Sequence, residues 1–189
     1  MFQKKKILLL IGIFFFVSFN YAQAFEIGEG TDFYVDDGYD ILSRDQLRAT
    51  LRVIGEHIYF YIENDYWNKL SGLKKNNLRE RLKDLANEFD TVIYPKERAV
   101  FGSEWNPGID GDKRITVLVS QLLDEIGGYV NINDEYPRDT FSTSNEREMI
   151  YLNNLSVFDP KNKAFLAHEF QHLITFYQKT VLYGIEEEV

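Results

Sequence analysis

The 189-residue sequence contains no cysteine and only three histidines. The absence of cysteine excludes a disulfide framework, a thiolate zinc site, an iron–sulfur cluster and a cysteine nucleophile. Any metal site must therefore use histidine, aspartate or glutamate. Basic side chains are also scarce, 21 against 30 acidic ones, and the net charge is −9. Because such a surface repels phosphate groups, we expect neither nucleic-acid binding nor attachment to an anionic membrane surface.

Long apolar runs are rare, and the clearest one lies near the N-terminus. Three lysines at positions 4–6 precede the uncharged residues 7–19, and a small-residue site ends at Ala24. This order is typical of a cleavable signal peptide. The apolar run has 13 residues, whereas a membrane span needs about 20. We therefore predict a signal peptide at residues 1–24, no stable membrane anchor, and a secreted protein, with the periplasm as the alternative destination.

The remainder divides by composition. Residues 25–49 are acidic and punctuated by glycine, which predicts an arm or a pro-segment outside the core, with one short strand at 33–35. Residues 50–189 are expected to form a single domain. Hydrophobic residues make up 44% of the chain and aromatic ones 15%, enough for a packed core.

Hydrophobic periodicity predicts an α+β fold. Residues 50–53 and 57–62 alternate as the strands of a hairpin do, with His57 in the second strand. One apolar stripe predicts a helix over residues 73–89 and consists of Leu78, Leu82, Leu85, Ala86 and Phe89. The other predicted elements are strands at 115–119, 127–130 and 148–152, a loop at 134–145, and a helix from the capping pair Asp159-Pro160 to about residue 179.

The last predicted helix carries a His-Glu-x-x-His pattern. Residues four apart on a helix lie one turn above each other, so His168 and His172 can bind one Zn²⁺ while Glu169 lies beside the metal and activates water. Two of the three histidines in the chain fall in this pattern, which favours a metal site over a chance match. His168, His172 and Phe176 form a stripe toward a cleft, separate from the apolar face of the helix. Two unpaired imidazoles would be unfavourable to bury among apolar neighbours, whereas a metal satisfies both.

A zinc hydrolase site needs a third protein ligand. The extended pattern with a third histidine is absent, because Thr175 and Gln178 stand where it requires glycine and histidine. A carboxylate from a later segment is expected instead, and the run from Glu186 through Glu187 to Glu188 is the candidate. An exposed acidic tail is an equally good interpretation of that run. Calcium is a further candidate cofactor.

Two aspartates in a glycine-rich turn, Asp110 and Asp112, are the candidate calcium ligands. Their carboxylates are the ligand type that Ca²⁺ prefers. A solvent-exposed turn without a metal is the alternative interpretation.

The remaining distinctive segments follow one another in a fixed order. They are Phe101-Gly102-Ser103-Glu104-Trp105-Asn106-Pro107-Gly108-Ile109-Asp110-Gly111-Asp112, then 115–119, Gly127-Gly128-Tyr129, Asp134-Glu135-Tyr136-Pro137, Ser144-Asn145-Glu146, Glu148-Met149-Ile150-Tyr151 and Ala167-His168-Glu169-Phe170-Gln171-His172. In this order the segments resemble secreted bacterial zinc metallopeptidases of the hyicolysin type. The resemblance extends from about residue 50 to the end of the sequence.

The resemblance implies the upper subdomain of a zincin, in the branch with a glutamate zinc ligand. Such a subdomain has a mixed sheet with an edge strand, two main helices and an active-site helix. By resemblance, His168 and His172 would be zinc ligands and Glu169 the general base. The family's third ligand is a glutamate in a later Asn-Glu motif, which is absent after His172. We therefore expect that ligand beyond Val189, with the sequence being a fragment.

The expected activity is hydrolysis of peptide bonds in a peptide or protein substrate. An extended peptide would pair with an edge strand, and Gly128 and Tyr129 are the candidate substrate-binding residues; a simple bulge is the alternative. Tyr129 and Tyr151 are candidates for stabilising the oxyanion, as is a residue beyond Val189. The alternative function is a non-catalytic, truncated zincin-like binding module that lacks a third zinc ligand.

Overall fold

A computed structural model describes the backbone of residues 25–186 and the side chains of residues 25–180. The predicted signal peptide, Glu187 and Glu188 lie outside the described residues, as does the side chain of Glu186. The strands are β1 (Gly30–Tyr34), β2 (Gln46–Ile54), β3 (Ile58–Glu63), β4 (Ile115–Ser120), β5 (Gly128–Tyr129) and β6 (Met149–Asn153), and the helices are α1 (Asn64–Lys69), α2 (Gly72–Glu88), α3 (Tyr94–Phe101) and α4 (Asn162–Glu186). Within the described part, no helix is long and apolar enough to cross a membrane.

The six strands form one mixed sheet in the order β1-β2-β3-β4-β6-β5. β3, β4 and β6 are parallel, while β1 and β2 at one side and β5 at the other are antiparallel to their neighbours. Every residue of the three parallel strands is buried, as expected for strands covered on both faces. The predicted α+β class is confirmed, as are the hairpin and the strands predicted at 115–119 and 148–152.

Each face of the sheet carries its own apolar cluster. On one face, α2 and α4 pack against Phe60, Ile62 and Val117 among others. The predicted stripe of α2 is confirmed, because all five of its residues are buried in this cluster. On the other face, tyrosines from β3, β5 and β6 pack with Phe33 and Leu47. Because α4 is one of the two helices that cover the first face, this packing fixes where α4 lies relative to β5.

The prediction that residues 25–45 lie outside the core is wrong, because part of this segment packs into the core. β1 pairs with β2 along its whole length, and the side chain of Phe33 is only 1% exposed. Among the charged residues of this segment, Phe33 is buried and Phe25 packs against the same cluster, and two residues eight apart give no periodic pattern. The segment forms a strand because the edge of β2 presents backbone N–H and C=O groups. An unpaired strand edge of this kind is a template for a further strand.

Three boundaries differ from the sequence prediction. α2 continues through a π-helical turn, Phe89–Ile93, into α3, and Pro95 lies in the first turn of α3. His57 lies in the turn before β3, not within the strand. α4 begins at Asn162 and passes Gly184, because a single glycine lowers helix stability by about 1 kcal/mol without ending the helix.

Candidate active site

The orientation of α4 is fixed by its apolar face. Leu166, Phe170, Leu173 and Ile174 are buried in the cluster against the sheet and α2. The Phe170 ring meets that of Phe89 edge-on, with centroids 5.0 Å apart. Because residues 168 and 172 lie off this stripe, the packing turns both histidines away from the core.

The two histidine rings converge at their outer nitrogens. The Nε2 atoms of His168 and His172 are 3.2 Å apart and the ring planes are inclined at 81°. Two imidazoles on a tetrahedral Zn²⁺ at about 2.0–2.1 Å would have nitrogens about 3.3 Å apart. The pair therefore fits zinc; a hydrogen bond between neutral rings has the same length. Partial burial lowers the pKa of His172, and the charge of His168 lowers that pKa further.

The predicted stripe toward a cleft is confirmed, because His168, His172 and Phe176 all line one cleft, in which both histidines are exposed. This cleft is open and has a volume of about 450 Å³. The cleft-facing stripe of α4 is distinct from its apolar stripe, so these rings need no metal to offset burial. The case for a metal therefore depends on the convergence of the two nitrogens.

Glu169 lies beside the histidines in a much drier position. Its side chain lines the cleft, and the residue is 7% exposed. Burial raises the pKa of its carboxyl group, an effect that His168 partly opposes. Among the described residues, no Lys or Arg forms a salt bridge with Glu169. Its carboxylate is therefore available to accept a proton.

β5 forms the wall opposite the histidines and is the outermost strand of the sheet. The predicted residues Gly128 and Tyr129 both line the cleft. A Cβ on Gly128 would lie 2.8 Å from the carbonyl oxygen of Tyr151 and 3.3 Å from Cγ of Glu169. Glycine is thus required at this position by the close approach of β5 to β6 and α4.

Phe176, which the sequence places on the histidine stripe, also lines the cleft, and four further lining residues were not among the predicted site residues: Val130, Ile132, Thr175 and Lys179. The helical spacing of 168, 172, 175 and 179 places Thr175 and Lys179 on the histidine face and could have revealed them. Val130 and Ile132 could not be found this way, because they follow a strand of only two residues.

The two tyrosines that the sequence suggests for oxyanion stabilisation are engaged elsewhere. The Tyr151 hydroxyl donates to Oδ2 of Asp134 at 2.6 Å, and Tyr151 is 1% exposed. The Tyr129 hydroxyl accepts a hydrogen bond from the amide of Asp36, and its ring stacks on Tyr151 with centroids 4.2 Å apart. Both rings belong to the cluster on the face of the sheet opposite α4. In this arrangement neither hydroxyl faces the histidines.

The aspartates suggested for calcium have different environments. Asp112 is buried and accepts hydrogen bonds from the Tyr59 hydroxyl at 2.8 Å and the Arg114 amide at 3.0 Å. Asp110 is exposed and caps the turn by accepting from the amide of Asp112. Asp112 therefore has a structural role in positioning the start of β4.

A third zinc ligand is not brought to the histidines by the part of the chain that the structure describes. Within residues 25–180, no three His, Cys, Asp or Glu side chains have a spacing that would hold a metal ion. The predicted candidates Glu186 to Glu188 fall outside the described side chains. Comparisons with protein-family models and with curated proteins give no match for this chain.

Proposed function

We propose that this protein is a secreted zinc-dependent endopeptidase with a zincin-like fold. The observation that carries the proposal is the convergence of the two histidine Nε2 atoms, 3.2 Å apart, beside a buried glutamate in an open cleft. The sheet adds support, because its antiparallel outer strand borders the same cleft. In this proposal His168 and His172 hold zinc and Glu169 is the general base.

Each residue of the cleft has a separate task in hydrolysis. Zn²⁺ held by the histidines would supply a Lewis acid that polarises the scissile carbonyl and makes water more acidic. Glu169 accepts the proton of the attacking water and passes it to the leaving amine. Because Glu169 is nearly buried and lacks a salt bridge to any described side chain, its carboxylate is not neutralised by a neighbour.

The substrate would lie along β5. Only one side of β5 is occupied in the described sheet, where it pairs with β6. An extended peptide can add to the other side through main-chain hydrogen bonds, which give affinity with little dependence on sequence. Gly128 brings that backbone close to Glu169, so a peptide paired there would pass in front of the catalytic carboxylate.

A second candidate function is a non-catalytic module that binds metal weakly. It is favoured by the lack of a third ligand near the two histidines in the described part of the chain. Two imidazoles alone bind zinc less tightly than a closed site. This module and the peptidase share His168 and His172 and differ in whether a peptide bond is hydrolysed.

Zinc titration against a chromogenic chelator, followed by a peptide cleavage assay, tests both candidates. The wild-type chain is expected to bind one zinc per chain and to cleave peptides, and His168→Ala and His172→Ala are expected to lose both properties. His57→Ala is the matched control, because the third histidine stacks on Tyr94, a core residue, with ring centroids 4.0 Å apart. Zinc binding without cleavage would support the module. Unchanged zinc affinity in both cleft variants would refute both candidates.

A further inference from the structure

A second group of carboxylates lies where the loop before β4 meets the loop before β6. Glu135 and Glu148 are each 3% exposed. Both come after polar residues in an irregular segment, where exposed side chains would be expected. The carboxylate of Glu148 lies against Gly108, so closely that any side chain at that position would overlap with it. Gly108 also has a φ of 78°, which favours glycine. Two loops are thus packed around buried acidic groups.

These buried carboxylates have unpaired oxygens. Among the residues that the structure describes, Oε1 and Oε2 of Glu135 and Oε1 of Glu148 are buried without a hydrogen-bond partner. Such an unpaired acceptor costs about 1–3 kcal/mol, and more when it is charged. Native proteins leave few polar atoms in this state, and an ion-binding site is one physical reason for such a group.

The contact of Glu148 with Gly108 brings its carboxylate to the loop that carries Asp110, two residues further along the chain. Burial raises the pKa of Glu148 to about 9, with further contributions from the charges of Asp110 and Glu135. Burial likewise raises the pKa of Glu135 to about 8, to which Asp134 and Glu104 contribute. Repulsion among these groups would be relieved by a positive charge between them.

A neighbouring acidic side chain is already hydrogen-bonded, and a neighbouring basic side chain forms no salt bridge with these carboxylates. Asp134 accepts hydrogen bonds from the Tyr151 hydroxyl and from the amide and side chain of Asn145. The guanidinium of Arg147 lies over the ring of Phe25, 5.2 Å from its centroid. Two of its nitrogens are buried and lack a hydrogen-bond partner among the described residues. No salt bridge joins Arg147 to Glu135 or Glu148 in the described structure.

We propose that Glu135 and Glu148, with Asp110 at the exposed edge, bind a calcium-like divalent cation that joins the two loops. The ligands are all carboxylate oxygens, which suits Ca²⁺ and disfavours zinc. No three described carboxylates have metal-holding spacing before the ion binds, so binding must draw the side chains inward. Relative to the calcium ligands suggested by the sequence, Asp110 is kept, and Glu135 and Glu148 replace Asp112.

Protonation is the rival explanation for the same oxygens. A protonated carboxyl group carries no charge, and Glu135 and Glu148 would then need no cation near neutral pH. The two explanations differ in the response to calcium. Added calcium stabilises a protein that has a cation site, by an amount that grows with the ratio of calcium to Kd, whereas it does not stabilise two protonated glutamates.

The test is thermal unfolding of the full chain, with His168→Ala and His172→Ala present so that the cleft histidines cannot contribute. Calcium is added up to about 10 mM, because extracellular calcium modules have Kd values of about 10⁻⁴–10⁻³ M. The proposal predicts that Tm begins to rise when calcium approaches Kd and is about 5–10 °C higher at a hundredfold excess over Kd. Glu135→Gln and Glu148→Gln should each abolish the rise. Asp139→Asn, an exposed carboxylate of the same loop, should leave it unchanged.

Terbium provides an independent readout on the folded protein. Trp105 lines a cavity together with Glu135, so it can sensitise luminescence from bound Tb³⁺. Calcium should displace this signal, and Asp110→Asn should weaken binding without affecting folding, because Asp110 is exposed. Absence of a calcium-dependent rise in the Tm of the wild-type protein would overturn the proposal. So would a rise in Tm that persists in both glutamine variants.

Discussion

Two buried carboxylates, at opposite sides of the sheet, have contrasting surroundings. Glu63, at the end of β3, is 1% exposed and lies 2.7 Å from Arg44, which also binds Asp40. Glu169, in the cleft, is 7% exposed and forms no salt bridge with any described residue. Both are acidic and nearly buried. What separates them is the partner, so burial alone does not distinguish a structural carboxylate from a reactive one.

The contrast extends to intermediate cases. Asp134 is fully buried and its partners are a tyrosine hydroxyl and an asparagine, which are neutral. Glu135, the next residue, has two unpaired oxygens among the described residues. Because a charged partner offsets the cost of burying a carboxylate better than a neutral one, the effect of removing a partner should follow this order.

The largest effect on stability is expected when the paired region loses its cation. Arg44→Met leaves Asp40 and Glu63 buried without their common partner, and we expect the free energy of unfolding to fall by about 3–5 kcal/mol. Urea denaturation measures this change. Zinc affinity should stay at the wild-type value, because the salt-bridge partners of Arg44 are Asp40, Glu63 and Asp65, none of which lines the cleft.

Arg48→Met is the control for this prediction. Arg48 and Asp32 form an ion pair of the same 2.7 Å length, but their side chains are 56% and 65% exposed. The expected loss is about 0–1 kcal/mol. Equal losses in the two variants would mean that burial does not govern the strength of these pairs.

The next largest effect is expected for a substitution in the cleft and should appear as a lower rate of peptide cleavage. Gly128→Ala places a Cβ 2.8 Å from the carbonyl oxygen of Tyr151 and must displace β5. Because a displacement of about 1 Å in a positioning element can cost about 10²-fold, we expect kcat/KM for peptide cleavage to fall by that factor. The measurement is steady-state cleavage of a peptide.

Gly127→Ala is the matched control, since its Cβ would meet Phe165 no closer than 3.5 Å, an ordinary contact. This variant should retain wild-type kcat/KM. If Gly128→Ala were equally active, the proposed role of β5 in positioning the substrate would be wrong.

A smaller effect is expected where a carboxylate has neutral partners. Tyr151→Phe removes the hydroxyl that donates to Asp134, and we expect a loss of about 1–3 kcal/mol in unfolding free energy. Tyr129→Phe removes a longer bond, 3.2 Å, to the amide of Asp36, and should cost about 0.5–1.5 kcal/mol. Chemical denaturation compares the two. A reversed order would contradict the ranking by partner.

Regular periodicity made much of the fold predictable. The stripe of Leu78, Leu82 and Leu85 identified α2, and continuous β-branched residues identified β4, because both patterns record burial directly. The π-helical turn Phe89–Ile93 carried no such signal. Phe33 was missed as a core residue because an edge strand needs only one inward-facing side chain per pair of residues, and its neighbours are polar.

The candidate site was predictable only where it lies on a helix. The positions of His168, Glu169 and His172 follow from helical spacing, and the structure brings the two Nε2 atoms together as that spacing requires. The burial of Glu135 and Glu148 could not be inferred, because it depends on how two irregular loops pack against each other. Loop packing has no sequence period, so polar composition there wrongly indicates exposure.

The most direct test of the central claim is the cleavage rate of Glu169→Gln at saturating zinc. The substitution keeps the size of the side chain and removes its ability to take a proton from water. We predict that kcat falls by about 10²- to 10⁴-fold, while zinc affinity and Tm stay at wild-type values. Cleavage at the wild-type rate would contradict the assignment of Glu169 as the general base. It would also contradict the inference that the lack of a charged partner makes Glu169 reactive while Glu63 is structural.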